Sequence, residues 1–227
     1  MFEDQTEWVD WRIWQITDSA FPTGSFAHSG GLESASTWGE IGSIDDVVGF
    51  VQDALRHNAR IGLPLLRAVF QSPSDFEKID EETDVFLNNH IANRASRSQG
   101  RAILATCADV FRTRRLQELR ELSSIEEIHA HQAPVMGLVA QQLEIPLNIA
   151  ARKFVFCNMR DLLSAAVRLN VIGPVQAQIV QDHIRDVCEK IISDCSDLEL
   201  HQKTQTAPFL ELLQATHERI YSKLFQS

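Results

Sequence analysis

The sequence predicts an all-α fold, a single-domain helical bundle of roughly eight to ten helices by its caps and breakers. Three observations predict it. Apolar residues recur at three- and four-residue intervals along most of the 227-residue chain, the repeat of one helix face. No segment alternates convincingly with period two, and no Asn-Gly or Asp-Gly pair offers a hairpin turn. Cap residues and prolines divide the apolar runs at helix-length spacing. The length suffices for one hydrophobic core, and 44% hydrophobic with 23% charged residues is an ordinary globular composition.

The first helix is expected over Glu7 to Ala20. Val9, Ile13, Ile16 and Ala20 form one stripe, and Trp8, Trp11 and Trp14 lie opposite. A helix apolar on both sides is central in the core or has a face on a partner. Pro22 lacks an amide donor and stops it. Asp18 to Glu33 follows, dense in small and turn-forming residues. Ser25 is placed to cap a second helix, with Gly30 and Gly31 inside it at a cost of about 1 kcal/mol each against alanine. A cost of that size implies a close approach by another backbone or by a partner.

Ser43 and Asp46 form a capping-box-like start for a helix with Val47, Val48, Val51 and Leu55 inward. It is expected to run to Arg60, pause at Gly62-Leu63-Pro64 and resume to Phe70. Ser72-Pro73-Ser74 breaks it, and the acidic segment to Asn88 reads as a solvated helix. Asn89 to Leu122 is one long helix or two abutting ones. Ser124 and Glu127 make a second capping box for a helix to Leu143, which Pro134 should kink or restart. Pro146 is a natural first residue for Leu147 to Leu169, and Pro174 for a helix to about Cys195. An arginine in the apolar run of that first helix, Arg168, must find a carboxylate or carbonyls. Residues 1–195 form the expected core. In 196–227, a polar linker precedes an amphipathic helix, Pro208 to Phe225, with Phe209, Leu213, Ile220 and Leu224 as its stripe.

The formal net charge of -10 argues against nucleic acid and anionic lipid as partners. No apolar run approaches the roughly 20 residues of a bilayer span. The acidic start, Met1-Phe2-Glu3-Asp4, is unlike a secretion signal, so a cytoplasmic location is expected. Cys107, Cys157, Cys188 and Cys195 show no C-x-x-C spacing. His129 and His131 do not share a helix face. His131, Cys188 and Cys195 are weak metal candidates, and no cofactor is expected. Ala27-His28-Ser29-Gly30-Gly31 falls one glycine short of a nucleophile elbow and follows a helical pattern instead of a strand. A small hydrolase using Ser29 and His28 is the alternative enzyme reading. The lysine of a phosphate loop is absent. Arg94, Arg97 and Arg101 share one helix face. Singly each reads as a salt-bridged surface residue. As a trio interleaved with Ser96, Ser98 and Gly100 they read as a docking site for an acidic partner or a phosphate, with Gly100 permitting close approach. A binding or scaffold role is therefore favoured over catalysis.

Pro22, Gly24, Phe26, Ser29, Gly31, Leu32 and Glu33 match in register the Pro-x-Gly-x-Phe-x-x-Ser-x-Gly-Leu-Glu signature of the urease accessory protein UreF family, which the chain resembles. The similarity continues through Arg94 to Gly100, His131 with Pro134, Val135 and Gly137, then Ser164 to Leu169 with Gly173, and Pro208 with the ending His217 to Ser227. Pro174 stands where the family usually has glutamine, with Gln176 nearby, and Lys223 and Gln226 where its ending is richer in arginine. The resemblance implies an all-α homodimer without enzymatic activity. It implies a bridge between the accessory protein UreD (also called UreH) and the GTPase UreG, and through them to the urease apoprotein, serving GTP-dependent nickel delivery to the urease metallocentre. It makes the signature residues, Arg94, Arg97, Gly100, Arg168, His217, Glu218, Tyr221, Leu224 and Phe225 the partner-binding candidates. The terminal helix would order on UreD. Substituting Glu33 or Gly31 should then impair partner contact without unfolding the chain.

Overall fold

A computed structural model describes residues 11–226. Trp8, Val9 and Ser227 lie outside them. The described residues contain eleven α-helices, four short 3-10 turns and no strand. The helices are α1 (Trp11–Thr17), α2 (Leu32–Thr37), α3 (Ile44–Gln71), α4 (Phe76–Phe86), α5 (His90–Phe111), α6 (Arg114–Ser124), α7 (Gln132–Gln142), α8 (Leu147–Arg168), α9 (Pro174–His183), α10 (Arg185–Asp194) and α11 (Pro208–Thr216). None is long and apolar enough to cross a membrane.

The centre is α7. Its eight consecutive residues Ala133 to Ala140 are all buried, as expected of a helix apolar all round. It packs between α3 and α5, and α8 closes the core against α3. Two glycines permit this: a Cβ on Gly137 would lie 2.2 Å from the Leu66 carbonyl oxygen, and one on Gly62 would lie 2.2 Å from the Phe154 ring. Capping follows the sequence at Ser43, where the hydroxyl accepts from the Asp46 amide and the Asp46 carboxylate accepts from the Ser43 amide.

Several boundaries differ from expectation. α3 runs unbroken through Pro64. A helical proline costs about 3 kcal/mol, but Leu63, Leu65 and Leu66 are each at most 2% exposed, and burial of that stretch outweighs the lost backbone bond. The acidic segment is not solvated all round, since α4 buries Phe76, Ile79, Asp80 and Thr83. Asn89 to Leu122 is two helices. Ser124 ends α6 instead of opening a helix, and its hydroxyl donates to the Glu121 carbonyl. Residues 125–131 are irregular, so Pro134 sits in the first turn of α7 and introduces no kink. The helix expected to Cys195 is broken at Ile184, which is buried.

Candidate partner-docking site

The signature folds as a turn and a helix start. Gly24 precedes a 3-10 turn, Ser25–Ala27, and Ser25 makes no side-chain cap. Its hydroxyl pairs with Thr23 Oγ1 at 2.8 Å. Gly30 and Gly31 precede α2 instead of lying within it, with φ of 61° and 94°. In that left-handed region glycine carries no steric cost, so the helical penalty assigned from sequence does not apply. A side chain on Gly31 would also meet Gln214 and Leu210 of α11. The close approach is made by the chain's own C-terminal segment.

That segment is clasped to the signature through Glu33, which is 3% exposed. Glu33 pairs with His217 Nε2 at 2.8 Å and accepts from the amides of Leu224 at 2.6 Å and Phe225 at 3.3 Å. The Gln226 amide donates to the Ala27 carbonyl at 2.7 Å. Arg168, at the end of α8, completes the clasp. Its guanidinium donates to the Phe26 and Leu224 carbonyls and lies over the Phe225 ring, 4.1 Å from the centroid. Carbonyls, one of the two partner types expected for this arginine, are what it finds. The terminal helix is shorter than its periodicity suggests. It ends at Thr216, a 3-10 turn follows, and the chain then runs to Phe225 without helix. His217, the next residue, turns its side chain inward. Leu210 and Leu213 face the core, whereas Phe209, Leu212 and Leu224 are more than half exposed. The expected stripe mixed the two faces.

The linker is also held. His57, on α3, accepts the Thr206 and Ala207 amides at Nδ1, both at 3.2 Å, and its Nε2 lies 3.1 Å from Glu211. Two amide donors on Nδ1 require that nitrogen to be unprotonated, so Nε2–H donates to Glu211. Arg67 donates to the Leu198 and Cys195 carbonyls at 2.6 and 2.9 Å.

Between signature, α3, α5, α8 and α11 lies a cavity of about 150 Å³, walled by Ser25, His28, Gly30, Asn58, Gln99, Asn158, Asp161 and Gln214 among others. Burial is the main cause holding the His28 imidazole down at about 4, with the charge of Arg94 and then His217 adding to it. Burial pushes the Asp161 carboxyl up, against the opposing pull of Arg160. Ser29 is fully buried, and a 3-10 turn, not a strand, leads to it.

The second half of the site is the α4–α5 edge. Asp80 accepts from the amides of His129, Ala130 and His131 at 2.8, 2.8 and 2.7 Å. The carboxylate holds Ala130 in a left-handed conformation, φ 58°. Gly100 lies beneath, and a Cβ there would sit 1.9 Å from the Ala130 carbonyl oxygen. As at Gly31, what approaches Gly100 is this chain, not a surface left open for another. His131 is buried among Ser96, at 3.1 Å, and Asp84, at 3.1 Å, and burial pushes its imidazole down. Burial favours the neutral Asp84 carboxyl, but hydrogen bonds from Asn93 and His131 outweigh it and hold it below the usual range. No group of three or more His, Cys, Asp or Glu among the described residues is arranged to hold a metal. Burial raises the Cys188 and Cys195 thiols, which disfavours the thiolate that a metal requires.

The sequence candidates thus divide. Ser29, Gly31, Leu32, Glu33, Gly100, His217 and Phe225 are buried. Pro22, Gly24, Phe26, Arg94, Arg168, Glu218, Tyr221 and Leu224 are exposed, and Arg97 is partly so. The first and last motifs, separated by the length of the chain, meet at one place with Arg168. Sequence reasoning missed Asp80, His57 and Arg160, whose guanidinium donates to the Thr17 carbonyl at 2.6 Å. Asp80 and His57 carried no signal beyond a polar residue at an inward helical position.

A family model described as UreF matches residues 41–185. This chain belongs to the UreF family. Proteins named urease accessory protein F are similar over nearly its whole length. One from Oryza sativa subsp. indica is 35% identical over 95% of this chain and 84% of its own. One from Arabidopsis thaliana is 34% identical over 96% and 93%. A urease accessory protein UreF from Trichodesmium erythraeum is 29% identical over 94% of each. UreF proteins are urease accessory factors, not catalysts, and the clasped surface described above is that of a UreF chain.

Proposed function

We propose that this UreF-family chain is a scaffold in urease maturation, bridging UreD (UreH) and the GTPase UreG, and through them the urease apoprotein. In this reading it works as a homodimer in GTP-dependent nickel delivery to the urease metallocentre, nickel being cargo instead of a resident cofactor. Four free cysteines support a cytoplasmic setting. The division into a core, 1–195, and a partner-binding segment, 196–227, belongs to the same proposal.

One observation carries it: the C-terminal segment is apolar on both sides. Leu210 and Leu213 anchor it to the core, and Phe209, Leu212, Tyr221 and Leu224 face outward. Tyrosine and other large apolar residues exposed side by side suit a partner. Deleting Pro208 to Ser227 would also uncover the core, so it is a poor test. The double variant Phe209→Ser/Leu212→Ser removes only the outward face. Co-expressed with UreD and UreG and followed by mass measurement of the purified complex, it should lose UreD at least tenfold while its helicity is unchanged. Full retention of UreD would overturn the assignment.

A further inference from the structure

Arg94, Arg97 and Arg101 line an open groove of about 720 Å³ together with His90, Asn93 and Leu87. The chain has 31 acidic and 21 basic residues, yet among the described residues none that lines this groove is acidic. A carboxylate from the tail pairs with two of its residues. Glu218 Oε1 lies 3.2 Å from Arg94 Nη2, and Oε2 lies 3.4 Å from His90 Nε2. Hydrogen bonds from His90 and then Arg94 hold this carboxyl below its usual range.

We propose that this groove docks an acidic peptide segment of a partner protein, and that Glu218 is the internal carboxylate it displaces. The inference rests on reading Arg94 and Arg97 as partner-facing, and it adds the chemistry of what they bind. Three features support it. The Glu218 pair is weak, because Arg94 is 56% and Glu218 48% exposed and solvent screens such pairs. The Arg97 guanidinium has capacity to spare. Among the described residues Arg97 pairs with Asp84, at 3.6 Å, a carboxylate already engaged by Asn93 and His131. Arg101 donates through Nε to the His129 carbonyl, which fixes its guanidinium at the inner end of the row. Finally, positions i, i+3 and i+7 spread the charges over roughly 10 Å of helix axis. A row of carboxylates matches that spread, whereas a phosphate needs donors converging on one point.

The test uses the full chain and a fluorescein-labelled octaglutamate peptide, read by anisotropy at about 50 mM salt. Glu218→Gln should bind the peptide about three- to fivefold more tightly than the parent, having lost its competitor. Arg94→Glu/Arg97→Glu should bind at least tenfold more weakly with unchanged circular dichroism, since both side chains reach solvent. Equal binding by all three proteins overturns the proposal. Displacement of the peptide by inorganic phosphate at a lower concentration than by free peptide also overturns it and makes the site one for phosphate. Peptide binding is measured on the isolated chain, so its failure leaves the co-purification of UreD and UreG standing, and the reverse holds.

Discussion

Gly100 shows how much one missing methyl group decides. Its Cα hydrogens face a loop whose backbone cannot retreat, because Asp80 holds three consecutive amides of that loop. A methyl group would overlap the Ala130 carbonyl oxygen and come within 2.7 Å of the His131 carbonyl carbon and the Gln132 nitrogen. Overpacking of a firm core costs about 1–3 kcal/mol, and more where backbone must move. Gly100→Ala should therefore destabilise by about 3 kcal/mol or more in urea denaturation. Gly49, in the interior of α3, is the contrast, with nothing within 4 Å of an added Cβ. Gly49→Ala should stabilise by about 0.5–1 kcal/mol through helix propensity alone. Equal effects at the two positions would contradict the packing read at Gly100. From sequence the two glycines look alike. Gly100 stood out only for its place between arginines, and the Asp80 carboxylate that makes it indispensable lies on another helix.

The elements were readable where local chemistry decides them and misread where tertiary contacts override it. Ser43 with Asp46, Pro174 and the break at Ser72-Pro73-Ser74 are local, and each stands where the sequence places it. Pro64 within α3 and the irregular run before α7 follow from burial and from Asp80, neither of which leaves a periodic trace. The C-terminal segment is the instructive case. Its apolar residues looked like one helical stripe waiting for a partner, but Glu33 folds it onto the signature, and α11 ends where His217 turns in. Glu33 and Gly31 are consequently parts of the fold, so substituting them tests the clasp first and partner contact only through it. Glu33→Gln keeps the shape of the side chain and loses its charge. Hydrogen bonds to a charged acceptor are worth about 1.5–3 kcal/mol, so opening of the tail should rise at least tenfold. Limited trypsin digestion after Arg219 and Lys223 should accelerate by that factor in the variant. An unchanged cleavage rate would mean that Glu33 does not hold the tail.

At the scale of the molecule, helical periodicity sufficed for the all-α class, but it says nothing of what lies between helices. The 150 Å³ cavity and its polar residues arise from seven elements whose residues are scattered from Ser25 to Gln214, and no spacing in the chain announces them. His28 was noticed as a neighbour of Ser29, yet its consequence is one of global stability. It is 8% exposed, and its pKa is lowered from 6.5 to about 4, chiefly by burial and then by Arg94 and His217. Above pH 6.5 both folded and unfolded chains carry a neutral imidazole. As pH falls through 6.5 the unfolded chain binds a proton that the folded chain refuses, so stability declines until the folded imidazole protonates near 4. At 1.36 kcal/mol per pKa unit the decline attributable to His28 is roughly 3 kcal/mol. Carboxylates add their own losses at the acidic end, so the comparison must be with a variant. Urea denaturation of the parent and of His28→Gln at pH 7, 5.5 and 4.5 separates the two, because the variant retains every carboxylate and lacks the imidazole. Its stability should fall less steeply over that interval, by most of the His28 contribution. Parallel declines would show that the imidazole gains a proton in the folded chain as readily as in the unfolded one, and that the cavity wall does not exclude its charge.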